Sequence, residues 1–470
     1  MSIRPVMTRR DLLSKTGMGF GAAALLGILE AANSSPLAPK AAHSEAKAKS
    51  VIYLFMHGGF SHVDTFDPKP ELTRRNGQPL SLELARTIKT SFIHDPSKAI
   101  LRGSPWQFRP GGKCGLPVSD LYPNVRDRMD DIAVVRGCYG DVFDHAPAIY
   151  LRNSGSQFPG RPCLGSWVTY GLGTENQNLP AFVVMSDGST KSGPPAYGAG
   201  FLPALYQGTV FRGGESPILY LSNPPGITDT VQKDTLSFIE KIDRLHAESR
   251  ADSTLEARIA SYELAYRMQS SAPEAVDLSK ESEATKKLYG IGDPLTDDFG
   301  RKCLLARRLV ERGVRFLQLY SGTNTGDDWD QAHTDLVGSH TRMAGKTDKP
   351  IAGLLSDLKG RGLLDSTLVV FGGEFGRTPL SQGDTGRDHH PYGFSMWLAG
   401  GGVKGGQALG ATDEFGVRAA EMRVDAHDVN ATLLRLMGID HERLTYLYQG
   451  RGQRLTDVHG ENEFTARLTA

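Results

Sequence analysis

The segment STLVVFGGEFGRTPLSQGDTGRDHHP, residues 366–391, decides the fold class of this chain. It begins with a continuous apolar run at residues 368–371, typical of a strand buried on both faces of a parallel sheet. Two glycines follow, then Glu374, Arg377 and the cluster at residues 388–390. Open α/β sheets bind ligands beyond the carboxyl ends of their strands, and glycine lets the backbone approach a ligand closely. The segment therefore predicts a functional loop at a sheet edge.

Other apolar runs predict further strands, and helical patterns lie between them. The predicted strands are residues 51–56, 131–135, 182–185, 314–320 and 395–398. The clearest helical patterns are residues 254–269 and 298–312. This alternation predicts an α/β fold in which helices cover both faces of a mostly parallel sheet.

Two segments are interpreted as additions to the sheet. The Pro/Gly-rich sequence at about residues 190–230 predicts an insertion, or a cap over the sheet edge, outside the core. The Ser-, Glu- and Lys-containing sequence at about residues 270–298 predicts a surface excursion. Residues 49–470 are treated as one α/β domain with these insertions, although their length also allows two domains.

The N-terminus is typical of an export signal. Residues 8–13, TRRDLL, place twin arginines before the Gly/Ala-rich apolar run of residues 17–29. That run is shorter than the roughly 20 apolar residues of a membrane span, and no later segment reaches this length. Residues 1–48 are predicted to be a twin-arginine signal peptide and flexible segment, with the mature chain starting between Asn33 and Lys49. Export would place the protein in the periplasm or another extracytoplasmic compartment.

Charge and cysteine content exclude several classes of function. The chain has 53 Lys and Arg against 53 Asp and Glu, so its formal net charge is zero. This balance argues against a nucleic-acid partner. Four cysteines without a C-x-x-C pair argue against a disulfide framework and a thiolate zinc site. We therefore interpret them as buried free thiols.

A second polar cluster follows the first predicted strand. The sequence HGGFSHVDTFDPKP contains His57, Ser61, His62, Asp64 and Asp67 directly after that strand. A histidine alone at such a place is more often structural. A histidine and a carboxylate after two glycines favour a site at the sheet edge.

A third cluster suggests a metal. In WDQAH, Asp330 and His333 are three residues apart, which places them on one face of a helix. Carboxylate oxygen with imidazole nitrogen suits Zn, Mn or Fe better than Ca or Mg. Together with Glu374 and the pair His389 and His390, the cluster predicts one or two divalent ions, with Zn, Mn, Fe and Ca all left open.

A fourth cluster lies at a predicted helix start. Asp144 is a suitable N-cap for a helix that begins near His145, with Pro147 in its first turn. Unpaired N–H groups at a helix N-terminus favour anions, so His145 would lie beside a phosphate or sulfate, or beside a metal. A capping turn with a surface histidine is the structural alternative.

Eight blocks, spread over most of the chain after the signal, resemble a bacterial family designated domain of unknown function 1501. The blocks are HGGFSHVDTFDPKP, PCLGSWVTYGLG, SYELAYRMQSSAPEAVDLSKE, CLLARRLVERGVRF, WDQAHTDL, GGEFGRTP, GRDHHPYGFSMWLAGGGVKGG and GATDEFG. That family is remotely similar to the alkaline phosphatase superfamily, which includes sulfatases. The resemblance implies an alkaline-phosphatase-like, doubly wound sheet with a two-metal site at its carboxyl edge.

The resemblance also implies roles for particular residues. The implied metal ligands are Asp64 (with His57 as a less favoured alternative), Asp330, His333, Glu374, His389 and His390. Phe375 stands where relatives have a histidine ligand. Arg377 would hold the anionic group of a substrate, because guanidinium geometry suits a tetrahedral oxyanion.

The chain departs from sulfatases at the nucleophile. In HAPAIYLRNSG, His145 occupies the position of the sulfatase Cys or Ser, and Cys-x-Pro-x-Arg occurs nowhere in the sequence. Formylglycine chemistry is therefore not available. Three alternatives remain open: His145 attacks the ester, His145 binds the metal while water attacks, or hydrolysis has been lost.

The sequence therefore predicts an exported metal-dependent hydrolase of phosphate or sulfate esters, with His145 and Arg377 as catalytic residues. Its partner would be an anionic small molecule or a sulfated polysaccharide. The alternative is a catalytically degenerate member of the superfamily that binds metal or glycan without turnover.

Overall fold

The structure is a computed structural model. It describes residues 36–470 except 187, 215–216, 219–220, 222, 224, 251–252, 323–325 and 462. The twin-arginine motif and the apolar run after it lie outside the described residues.

An eight-stranded sheet forms the centre of the molecule. Its strands are β1 (Ser50–Met56), β2 (Ile132–Cys138), β3 (Phe182–Met185), β4 (Thr209–Phe211), β5 (Phe316–Ser321), β6 (Thr367–Gly372), β7 (Phe394–Ala399) and β8 (Gln407–Leu409). Their order across the sheet is β8-β2-β7-β6-β1-β5-β3-β4. Strand β7 runs antiparallel to both neighbours, and the other neighbouring pairs are parallel. The predicted mostly parallel sheet is confirmed.

The composition of β1 explains why the sheet is covered on both faces. All seven residues of Ser50–Met56 are buried. Ile52, Leu54 and Met56 join one hydrophobic cluster, while Val51, Tyr53 and Phe55 join another. Successive side chains of a strand point to opposite faces, so a run that is apolar throughout requires cover on both.

Helices provide that cover. The longer ones are α1 (His145–Ser154), α2 (Leu164–Leu172), α3 (Asp229–Arg250), α4 (Ser253–Val276), α5 (Asp297–Glu311), α6 (Leu336–Gly360) and α7 (Ala426–Leu436). Helices α5 and α6 contribute to the first hydrophobic cluster, and α2 and α7 to the second. The predicted α/β class with helices on both faces is thus confirmed. Within the described ranges, no helix combines the length and apolarity needed to cross a bilayer.

Short elements complete the fold. The short helices are Pro70–Arg74, Leu82–Ala85, Pro123–Arg126, Glu283–Leu288 and Glu463–Thr469. Small antiparallel pairs join Phe108–Gly111 to Leu116–Ser119, Gly376–Arg377 to His389–His390, Ala411–Thr412 to Ala419–Glu421, and Tyr446–Tyr448 to Arg451–Gln453. In the second pair, His389 lies opposite Arg377, which places both beside the sheet edge.

Two predicted insertions are part of the packed fold instead. The 190–230 segment contains β4, the edge strand of the central sheet, and its Leu202 and Phe211 are core residues. The 270–298 segment begins within α4, and its Ala272 and Tyr289 are completely buried. The Pro, Gly and charged residues of these two segments reflect the turns within them. Whether the segments are buried depends instead on which other parts of the chain pack against them.

The segment before β1 is also better ordered by contacts than the sequence predicts. Leu37 is buried, and its carbonyl accepts a hydrogen bond from the amide of Thr174. The amides of Lys47 and Ala48 both donate to the carbonyl of Leu436 at the end of α7. Residues 37–48 therefore belong to the folded domain, and the prediction of a flexible segment up to residue 48 is wrong for this part.

Candidate metal centre

Five loops at one edge of the sheet supply the candidate site. They follow the carboxyl ends of β1, β2, β3, β5 and β6, which all point the same way because these strands are mutually parallel. In that order they contribute His57, His145, Lys191, Asp330 with His333, and Glu374 with His389. These side chains lie at the carboxyl edge of the sheet, where the sequence analysis expects a site.

Asp330 is the centre of the cluster. Its Oδ1 atom lies 2.9 Å from His145 Nε2, 3.0 Å from His389 Nε2 and 3.2 Å from His333 Nε2. Arg377 donates a hydrogen bond of 2.8 Å to the same oxygen. Three imidazole nitrogens thus converge on one carboxylate oxygen.

Hydrogen bonds on the far side of two rings determine which nitrogen faces the cluster. His145 Nδ1 lies 2.7 Å from Glu374 Oε1, and His333 Nδ1 lies 2.5 Å from Gln382 Oε1. Both partners are acceptors, so each Nδ1 donates to its partner and Nε2 is the nitrogen of each ring that faces the cluster. Metal-binding histidines are held in the same way by carboxylate or carbonyl acceptors.

The separations between donor atoms also fit a metal ion. Four ligands at about 2.1 Å in a tetrahedron lie about 3.4 Å from one another. The contacts of 2.9–3.2 Å to Asp330, and 2.8 Å between His333 Nε2 and His389 Nε2, are a few tenths of an ångström shorter. Small side-chain adjustments would therefore bring these pairs of donor atoms to the separation that an ion requires. Among the described residues, the donor atoms of His145, Asp330 and His389 lie within 4.8 Å of one another, and so do those of His333, Asp388 and His389.

The electrostatics favour a cation at this position. Burial by itself raises the pKa of Asp330, but the contacts with the three imidazoles outweigh burial and hold that pKa well below its usual range. Burial lowers the pKa of His145, and the contacts with Asp330 and Glu374 more than reverse this effect. A site that stabilises a proton on His145 has negative potential, which also stabilises a divalent ion.

His145 lies at the first position of α1, as the sequence predicts. Asp144 takes the N-cap position with extended backbone, yet its side chain makes no capping hydrogen bond, contrary to expectation. Helix α1 ends at Gly155, whose left-handed backbone (φ 67°) is typical of a helix C-terminus.

Lys191 is the main site residue that sequence reasoning missed. Its Nζ atom lies 2.7 Å from Asp330 Oδ2 and 3.2 Å from Asp328 Oδ2. Its backbone amide donates to His57 Nε2 at 3.0 Å, which fixes the loop against the end of β1. One signal was available, because Lys191 follows β3 by only a few residues and β3 ends at the same sheet edge.

Arg377 does not have the position predicted for it. Its side chain is completely buried and donates to the carbonyls of Gly58 and Gly59 as well as to Asp330. These contacts occupy the guanidinium, so it cannot bind a substrate anion as the sequence interpretation requires. Its geometry is that of a residue that positions Asp330.

Asp64 lies outside the cluster, although the resemblance implied it as a ligand. Its carboxylate accepts two hydrogen bonds from Arg387, of 2.7 and 3.1 Å, and one of 2.6 Å from the Ser61 hydroxyl. All three side chains are completely buried. The buried guanidinium already neutralises this carboxylate, so it is not a free ligand.

His390 also faces away from the cluster. Its Nε2 lies 2.5 Å from the carbonyl of Val417, and its ring stacks on His62 at 6.3 Å between centroids. Burial lowers the pKa of His390 to about 3, which keeps the ring neutral. The two adjacent histidines have opposite directions because consecutive side chains of the extended pair Gly376–Arg377 and His389–His390 alternate.

Aromatic rings surround the imidazoles. Phe375 packs against His389 and His145, with ring centroids 4.5 and 5.1 Å apart. Phe92 packs against His333 at 4.7 Å and is more than half exposed. Asp388 accepts hydrogen bonds from the Phe92 and Ile93 amides, which holds this loop over the site.

The site is partly open to solvent. The side chains of His145, His333, Lys191 and Asp330 are 14–20% exposed. Glu374, in contrast, is buried, and its Oε1 also accepts a hydrogen bond of 2.9 Å from the Gly58 amide. The arrangement therefore presents the Asp330 cluster to a ligand and keeps Glu374 behind it.

Comparison with known proteins identifies the family. Residues 48–463 match the family described as "Protein of unknown function (DUF1501)", and the chain belongs to this family. A search of curated protein sequences finds no match.

Solved structures of several hydrolases and a synthase are similar to this chain at low identity. The PsFucS1 sulfatase from Pseudoalteromonas sp. has a TM-score of 0.38 and 13% identity, over 90% of this chain and 72% of its own. The lipoteichoic acid synthase LtaP from Listeria monocytogenes has a TM-score of 0.37 and 9% identity, over 90% of this chain and 79% of its own. The alkaline phosphatase of the Antarctic bacterium TAB5 has a TM-score of 0.35 and 11% identity, over 83% of this chain and 98% of its own. At such identities the residues of the centre have to be judged from their own geometry.

Proposed function

We propose that this protein is a metal-dependent hydrolase of phosphate or sulfate esters. The observation that carries the proposal is the convergence of three imidazole Nε2 atoms on Asp330 Oδ1 at a partly open sheet edge. Three nitrogens and one oxygen form a donor set that suits Zn, Mn or Fe, and the three imidazoles disfavour Ca.

The ligands in this proposal are His145, His333, His389 and Asp330. A divalent ion held there supplies Lewis-acid activation of an ester oxygen and of water. His145 donates from Nδ1 to Glu374 and has Nε2 in the ligand cluster, so neither nitrogen is free to attack an ester. Of the three alternatives that the sequence leaves open, we therefore favour His145 as a ligand and water as the nucleophile.

Lys191 takes the role that the sequence interpretation gave to Arg377. Its ammonium group lies beside Asp330 at the partly exposed side of the cluster. Burial lowers the pKa of Lys191, but the contact with Asp330 raises this pKa by more, so the net shift is upward. Lys191 therefore stays charged at neutral pH. Reorientation of a flexible lysine toward a phosphate or sulfate oxygen would stabilise negative charge in the ester and in the leaving oxygen.

Compartment and substrate follow from the sequence as parts of the same proposal. The twin-arginine motif supports export, and an open site with one lysine beside the ligands suits the ester group of a larger anionic molecule. A sulfated polysaccharide is the substrate class we propose, with small phosphate or sulfate esters as simpler reporters of the same chemistry.

Elemental analysis combined with an ester panel tests the proposal. The purified mature protein should contain about one equivalent of Zn, Mn or Fe and hydrolyse nitrophenyl phosphate, nitrophenyl sulfate or sulfated oligosaccharides. Asp330→Asn should lose both the metal and the activity. His459→Ala, an exposed histidine outside the cluster, should retain both. A folded wild-type protein that takes up no metal even after add-back would overturn the proposal.

A binding protein without turnover is the second candidate. One observation favours it: among the described residues, the imidazoles of His145, His333 and His389 have a hydrogen-bond contact with one hydroxyl only, that of Ser91, 3.5 Å from His389 Nδ1. Metal uptake with saturable binding of sulfated oligosaccharide, but without product on any member of the panel, would support this candidate over the hydrolase.

A further inference from the structure

Helix α3 has an apolar stripe that faces solvent. Val231, Phe238, Ile242 and Leu245 are 40–66% exposed. Their spacing of seven, four and three residues places all four on one face of the helix. Large apolar side chains rarely line up in this way on a free surface, so the stripe indicates a partner.

The opposite face of α3 already has a partner within the chain. Leu236 and Ile239 of α3, with Ile259 and Tyr266 of α4, line a cavity of about 370 Å³ between the two helices. The exposed stripe is therefore separate from the α3–α4 contact, and α4 does not cover it.

The charges on the stripe are arranged symmetrically. Asp234 and Lys241 lie on the same face as the apolar residues and are both exposed. When two copies of α3 are laid antiparallel about a two-fold axis near residue 238, Asp234 of each copy meets Lys241 of the other. The same axis pairs Val231 with Leu245 and Phe238 with its own copy.

We propose that α3 forms an isologous homodimer by packing antiparallel on α3 of a second copy of this chain. A two-fold interface requires a surface that complements itself, and the stripe meets this requirement in both charge and apolarity. From residue 231 to 245 it spans about 21 Å. This length gives an interface at the small end of the range of about 1,200–2,000 Å² for stable complexes, so association in the micromolar range is expected.

Sedimentation of the full mature chain at 1–100 μM (about the range where such an interface is half-formed) tests the proposal. The weight-average mass should rise from one protomer to two across this range. Phe238→Asp should remain monomeric, because it places two carboxylates together at the axis. Metal content and far-UV circular dichroism serve as controls for folding, since none of the stripe residues belongs to the metal centre.

Charge reversal tests the register. Asp234→Lys places two lysines together in each half of the interface and should raise the dissociation constant at least about tenfold. The double variant Asp234→Lys with Lys241→Asp restores the pairs and should restore the dimer. A wild-type chain that is monomeric throughout overturns the proposal. A dimer that Phe238→Asp does not affect overturns this interface. A dimer that the double variant does not restore overturns this register.

Discussion

Substitution of Glu374 by glutamine would test whether this residue orients a ligand or is one. Glu374 Oε1 accepts hydrogen bonds of 2.7 Å from His145 and 2.9 Å from the Gly58 amide. Glutamine keeps the shape and removes the charge. A hydrogen bond to a charged group is worth about 1.5–3 kcal/mol and one between neutral groups about 0.5–1.5 kcal/mol. The His145 bond should therefore weaken by about 1–2 kcal/mol.

That energy sets the size of the expected change in metal affinity. Each 1.4 kcal/mol is a factor of ten, so the metal dissociation constant should rise about 5- to 30-fold in Glu374→Gln. Losses of 10- to 100-fold are typical when an outer partner of a metal-binding histidine is changed. Competition with a chelator of known affinity measures the constant, and Glu442→Gln, at an exposed position outside the cluster, is the matched control.

Two outcomes would contradict this role of Glu374. An unchanged dissociation constant would mean that the carboxylate does not support His145. A rise above about a thousandfold, comparable to the loss in Asp330→Asn, would mean that Glu374 binds the ion directly.

Three further predictions follow from individual contacts. Lys191→Gln should raise KM for anionic esters at least about tenfold and leave the metal content unchanged. The substitution removes a positive charge beside Asp330 but does not remove a metal ligand. Steady-state kinetics measure KM, and elemental analysis measures the metal content. Gly58→Ala should destabilise the fold by about 1–3 kcal/mol and reduce metal uptake, because φ is 106° and a Cβ would lie 2.6 Å from the Asp330 amide nitrogen. Gly77→Ala is the control, because φ is positive there but a Cβ would meet no neighbouring atom, and it should destabilise the fold less. Thermal melts compare the stability of the two variants. Asp425→Ala should cost about 1 kcal/mol at neutral pH by removing the N-cap of α7. Burial raises the pKa of Asp425, but contacts with the neighbouring imidazole lower it to about 2, below the unfolded value of about 3.9. The stabilisation is therefore present above about pH 4, and urea unfolding should show the difference from wild type vanish as pH falls toward 2.

The strands were predictable from sequence because their signal is local. Residues 51–56 and 368–371 are apolar at every position, and a segment of that kind is stable only when both of its faces are buried. The polar side chains that follow each strand could also be placed at one edge, since parallel strands have their carboxyl ends on the same side. Asp330, His333 and His389 were identified in this way and do lie together.

The partners of these side chains could not be predicted from sequence. Asp64 and Arg387 are 323 residues apart and pair only because the loop after β1 passes the loop after β6. Arg377 is buried because it donates to the carbonyl of Gly59 in the loop after β1, and its side chain therefore lies away from the exposed side of the cluster. Lys191 enters the site because the sheet order places β3 two strands from β1.

The sequence by itself therefore determined the α/β class, six of the eight strands of the central sheet and most, but not all, of the ionisable groups at the carboxyl edge. Apolar periodicity and strand direction are properties of single segments, and burial enforces them wherever the segment packs. Only the tertiary structure decided which carboxylates and imidazoles share a donor cluster, which are neutralised by a buried arginine and which face away. Those outcomes depend on contacts of about 3 Å between loops that lie far apart in the chain.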